Sequence, residues 1–145
     1  MYMKRPALLA AAEAVKRVGG KFAKQTMEVP QGDAPTVSAT VIWEPQPGPQ
    51  TALIKCPVFE VFFGGARGGG KTEASIGDWL DHSATYGEDA IGIFFRRKLV
   101  QLREVIARTR QIFPKLGATY NASEKTWTMA NKARLFFAYL EYDAD

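Results

Sequence analysis

The run Gly65-Ala66-Arg67-Gly68-Gly69-Gly70-Lys71-Thr72 constrains this chain more than any other feature. It matches G-x-x-x-x-G-K-[ST] in full, a pattern specific when an apolar strand precedes it and a helix follows. Both contexts are read here: residues 58–63 (VFEVFF) as a buried strand, residues 73–82 as a helix with Ala74, Ile76, Trp79 and Leu80 apolar. Each residue type has a physical task. Glycine backbones reach φ > 0 and leave no Cβ between amide and ligand. Successive N–H groups at a helix N-terminus form an anion-binding concavity, which the helix dipole reinforces. Lys71 reaches the β- and γ-phosphates as a point charge, and the Thr72 hydroxyl is placed for Mg²⁺. Gly65, Ala66, Arg67, Gly68, Gly69, Gly70, Lys71 and Thr72 are therefore the candidate nucleotide contacts. Arg67 is not explained by the general pattern. A guanidinium four residues before Lys71 can stabilise a γ-phosphate, couple nucleotide state to motion, or simply face solvent.

The rest of the chain reads as one domain's worth of sequence, 145 residues with 46% hydrophobic and 12% aromatic content, enough to bury a core. The formal charge of +4 fits a polyanionic partner about as well as it fits a slightly basic domain. One cysteine, Cys56, and one histidine, His82, exclude an internal disulfide framework and a Cys/His zinc site. Cys56 is expected to be a small buried hydrophobe. The N-terminus has basic residues and then an apolar stretch, but Glu13, Lys16 and Arg17 interrupt it, and no apolar run is long enough for a bilayer span. A cytoplasmic, membrane-free location is expected.

Residues 7–18 are expected to form a short helix, begun near Pro6 and stopped by Gly19-Gly20. Residues 25–50 are proline-rich and linker-like, with one strand in TVSATVIW. The division expected is a basic helix and linker over 1–42, then the compact domain over 43–145. Residues 90–95 (AIGIFF) read as a second strand covered on both faces, as in a parallel sheet. Residues 99–113 form an amphipathic helix ended by Pro114. Residues 126–129 and 134–140, with a short strand near residues 118–120, read as a β-meander. The first half is thus a βαβα unit of an α/β fold.

These features in this order resemble the N-terminal ATPase portion of phage terminase large subunits. The resemblance rests on PGPQ upstream of the loop, FGGARGGGKT, IFFRRK leading into a long helix that ends in IFP, and GATYNASEKTWTMANKARLFFAYLE. It covers about residues 43–145. Asn131-Lys132 stands where many members have Asn-Gly. The resemblance implies an ASCE, RecA-like P-loop NTPase with a central parallel sheet and a β-hairpin, binding ATP and Mg²⁺. It implies coupling of ATP hydrolysis to translocation of double-stranded DNA into a procapsid, transiently at the portal in the host cytoplasm. Portal protein, small terminase subunit and further copies of the chain are the implied partners. Lys71 and Arg67 would be catalytic, and Gln50 would read adenine through its amide, although a plain loop glutamine fits as well. Arg96, Arg97 and Lys98 would grip DNA phosphates or signal between subunits, or form a solvated turn.

An ATPase also needs an acidic residue to hold Mg²⁺. Arg96 follows AIGIFF where an acid would be required, and Glu141 after LFFAYL lacks an adjacent acidic partner. The Walker B acid is expected to lie beyond residue 145, leaving the sheet incomplete. Two alternatives stand beside the motor: a catalytically incomplete nucleotide- or DNA-binding fragment, and another P-loop ATPase such as a helicase.

Overall fold

The computed structural model describes residues 14–18, 21–28, 36–65 and 68–140. Seven strands and three α-helices lie among them. Three strands, β1 (Ala14–Val18), β2 (Lys21–Glu28) and β3 (Thr36–Trp43), form an antiparallel sheet in the order β1-β2-β3. A short helix, α1 (Pro49–Ile54), then leads through an extended segment to α2 (Lys71–Tyr86). The second sheet has the order β4-β7-β6-β5, from β4 (Ile91–Arg96), β5 (Thr119–Asn121), β6 (Thr126–Thr128) and β7 (Arg134–Tyr139). Helix α3 (Leu99–Ile112) makes the crossover from β4.

The fold is therefore mixed α/β with a partly parallel sheet. β4 and β7 run parallel, pairing Gly92 with Leu135 and Phe94 with Phe137. The β5-β6-β7 portion is the antiparallel meander read from the sequence. Its core lies on one face. Leu135 and Phe137 pack with Trp79 and Leu80 of α2 and with Leu102, Val105 and Ile112 of α3. Trp127 is nearly fully buried, and its indole N–H donates to the buried Thr109 hydroxyl at 3.0 Å. That bond removes the desolvation cost that an unpaired indole N–H would otherwise carry inside the core.

Four expectations are corrected. Residues 14–18 are a strand rather than the end of a helix, paired antiparallel with β2 in the register Ala14↔Gln25 to Val18↔Lys21, while residues 7–13 of the expected helix lie outside the described residues. Residues 21–28 are a strand as well, so the first residues of the 25–50 stretch read as linker-like are paired in a sheet, and Phe22 and Trp43 join the core. The 58–63 segment is not a buried strand: it has no ladder partner, and Phe59 and Phe62 are fully exposed. Apolar and β-branched composition marks a strand candidate, but pairing is non-local and Pro57 removes one backbone donor. Finally, β4 is covered on one face only. Phe94 is buried, while Ile91, Ile93 and Phe95 are exposed on the other side.

The 129–133 turn places a non-glycine residue in the left-handed region. Lys132 donates its N–H to the Met129 carbonyl at 3.0 Å, Met129 donates to the Ala133 carbonyl at 2.8 Å, and Lys132 sits at φ 73°. This is a tight turn closed by a left-handed residue, a place that favours glycine. Asn131 completes it, donating to the Ser83 carbonyl of α2 at 2.7 Å. Lys132→Gly is expected to raise stability by about 0.5–1 kcal/mol, the left-handed penalty relieved less the added chain entropy, as read from urea unfolding midpoints.

Candidate phosphate-binding loop

The loop is held at its downstream end by α2. Gly70 is the residue that caps this helix, at φ 71° in the left-handed region. Its carbonyl accepts from the Ala74 N–H at 2.9 Å and from the Gln50 amide nitrogen at 3.1 Å. A Cβ on Gly70 would lie 2.2 Å from that nitrogen, so glycine is required by both space and backbone. Gln50 is buried, and its Oε1 accepts the Gln46 N–H at 2.9 Å. Both ends of the amide are thus used to tie residues 46–50 to the first turn of α2.

Lys71 opens α2, and its Nζ donates to the Gly65 carbonyl at 2.7 Å, closing the loop on itself. Gly65 and Gly68 have φ of 138° and 84° with open space where a Cβ would be. Gly64, Gly65, Gly68 and Gly69 are exposed. Ala66 and Arg67 lie outside the described residues. This arrangement fits a phosphate: bare, left-handed backbone at the positive end of a 16-residue helix, with an ammonium in its first turn.

Thr72 is half-buried, and its hydroxyl accepts from Arg96 Nη2 at 3.4 Å. Arg96 also lies over the Phe94 ring, with Cζ 4.4 Å from the centroid. Partial burial pulls its pKa below the ordinary guanidinium value. The contact sets the start of α2 beside the carboxyl end of β4, the side on which open α/β sheets bind ligands. Arg97 and Lys98 are exposed at the β4–α3 turn.

Sequence reasoning missed the fate of Glu73. Its carboxylate receives Nε and Nη2 of Arg108 on α3, the latter at 3.1 Å, and the Trp43 indole N–H at 3.2 Å. The pairing raises the Arg108 pKa, chiefly through the hydrogen bond to Glu73. Glu73 is therefore structural, joining three elements, and is not placed as a metal ligand. The signal was an acid in the first turn of one helix and an arginine on the polar stripe of another, but nothing local links them. Among the described residues no group of three or more His, Cys, Asp or Glu side chains is placed to hold a metal ion. For Mg²⁺, Thr72 supplies a fitting hydroxyl, and Glu141 lies outside the described residues.

Cys56 is half-buried rather than buried, on the rim of an open groove along β4. His82 packs against Tyr86 with tilted rings, centroids 4.6 Å apart, on the exposed side of α2. Asp78, near the same groove, has its pKa raised, first by desolvation and then by Asp81. Among the described residues no helix is long and apolar enough to cross a membrane. Comparison with protein-family models, with curated proteins and with solved structures gives no match.

The clamp makes a prediction about coupling. Gly70→Ala is expected to destabilise by about 1–3 kcal/mol, from the left-handed backbone and the clash with Gln50. In the Gln50→Ala background the clash is gone, so its cost should fall to the backbone part alone. Urea unfolding of the four proteins of this cycle should show non-additivity above about 0.5 kcal/mol.

Proposed function

We propose that this chain is the ATP-binding part of a viral DNA-packaging motor of the terminase large-subunit type, built on a P-loop NTPase fold. The observation that carries the reading is the loop from Gly65 to Thr72. It ends in a left-handed glycine that starts α2, and it lies beside the carboxyl end of a strand parallel to its neighbour. In this reading Lys71 binds the β- and γ-phosphates, Thr72 holds Mg²⁺, and Arg67 stabilises developing charge on the γ-phosphate. Gln50 acts first by fixing the loop; its amide reads adenine only by giving up the bonds to Gln46 and Gly70. The packaging assignment rests on the order of PGPQ, the arginine-bearing loop, IFFRRK and the meander. Double-stranded DNA, the portal, the small subunit and further copies of the chain are the partners of this proposal.

A second reading, a nucleotide- or DNA-binding unit without turnover, is favoured by one observation. Glu73, the carboxylate beside the loop, is committed to Arg108 and Trp43. ATP turnover by this chain, lost in Lys71→Ala, would sink that alternative.

Titration with a fluorescent ATP analogue and Mg²⁺ tests the nucleotide reading. Lys71→Ala should weaken binding at least about tenfold, the worth of a charged hydrogen bond to phosphate. Equal binding by both proteins would overturn it. DNA binding is tested by salt dependence. Replacing exposed Arg97 and Lys98 by alanine should reduce the slope of log K against log salt by about 1.8 if both neutralise a phosphate. An unchanged slope removes them as DNA contacts.

A further inference from the structure

Arg96 ends β4, yet its side chain does not leave for solvent as those of Arg97 and Lys98 do. The guanidinium folds over Phe94 and bonds to neutral acceptors: its Nη1 to the Phe95 carbonyl at 3.1 Å, its Nη2 to the Thr72 hydroxyl at 3.4 Å. Among the described residues no carboxylate pairs with it, because Glu73 is held by Arg108. A partly desolvated cation bonded only to neutral oxygens, one of them at long range, gains most from an incoming anion. Its position identifies which anion. In a phosphate loop the backbone amides cradle the inner phosphates, while the threonine hydroxyl sits at the metal that bridges β- and γ-oxygens. A group within reach of that hydroxyl stands beside the last phosphate.

We propose that Arg96 is a phosphate-contacting residue that reads the terminal phosphate of the bound nucleoside triphosphate, giving up its bond to Thr72 when that hydroxyl turns to the metal. The proposal rests on the phosphate-loop reading above. A guanidinium cannot share the face of the hydroxyl with a divalent cation, since like charges repel at that distance. It therefore moves toward the negative charge that the outer phosphate oxygens supply within its reach. This makes β4 a sensor strand: its last residue is bonded to the loop in one state and to the ligand in the other.

The test compares a non-hydrolysable ATP analogue with ADP, both with Mg²⁺, by calorimetric titration of the whole chain. Arg96→Ala should lose about tenfold or more in affinity for the triphosphate and stay within about twofold for the diphosphate. Arg96→Lys, which keeps the charge without the planar fork, should fall between. Arg103→Ala, a surface charge on α3, should change neither. Thermal melts confirm that each variant is folded, and Arg96→Lys carries the test if Arg96→Ala is not. Equal losses for both nucleotides, or no loss together with weakened DNA binding, would overturn the proposal. If the unaltered chain binds neither nucleotide, or binds them no better than Lys71→Ala, it is the phosphate-loop reading that fails, and the role of Arg96 falls with it.

Discussion

The first turn of α2 is the point on which the rest of the molecule depends. On one side the Gln50 amide holds the Gly70 carbonyl; on the other Glu73 gathers Arg108 from α3 and Trp43 from the end of β3. A turn later, Gly77 lets the Trp43 ring approach so closely that a Cβ there would lie 2.0 Å from it. Three separate pieces of chain thus meet one helix end, and each meeting needs a specific residue. The effect is to fix the direction in which the α2 N-terminus points its first N–H groups. Anion binding at a helix end depends on that direction more than on any single contact, because the donors and the dipole act together.

The electrostatics around this helix end are arranged by subtraction. Glu73 lies in the first turn of the helix, where a negative charge would be comfortable against the dipole but would oppose an arriving phosphate. Its charge is met by Arg108 and does not face the loop alone. The pair is half-exposed, so its contribution to stability is modest, and its value lies in where it leaves the charge. Lys71 and Arg96 are then bonded to neutral oxygens of the loop and of Thr72.

How much of this was legible in the sequence follows from how local each feature is. The loop, α2, α3 and the meander were readable because their signals lie within one stretch: glycine spacing, apolar periodicity, a proline stop and alternating apolar positions. Lys132 shows what only the structure reveals, a left-handed φ at a position that glycine would suit. The failures are all non-local. Residues 14–18 have valines and basic residues compatible with either period, and pairing with β2 decides between them. The VFEVFF segment has strand composition, and composition cannot supply a partner. The ion pair between Glu73 and Arg108 joins residues 35 apart in sequence and is invisible to any window-based reading.

β4 and the 58–63 segment both bear on the site itself. β4 pairs with β7 on one edge, and among the described strands nothing pairs with the other, along which the open groove runs from Ile54 and Cys56 to Phe94. The unpaired 58–63 segment begins two residues after Cys56 and ends two before Gly65. Six residues of β-prone chain therefore connect the rim of an unpaired strand edge to the phosphate loop. The segment is exposed, and an unpaired sheet edge presents a row of donors and acceptors that a β-prone stretch can complement. Any order imposed on residues 58–63 would be transmitted directly to Gly65, the upstream end of a loop whose downstream end is already fixed at Gly70. The loop is held at α2 through Gly70 and at its upstream end by the Lys71 bond to the Gly65 carbonyl, so residues 58–63 enter it at an end that is already tied to the helix.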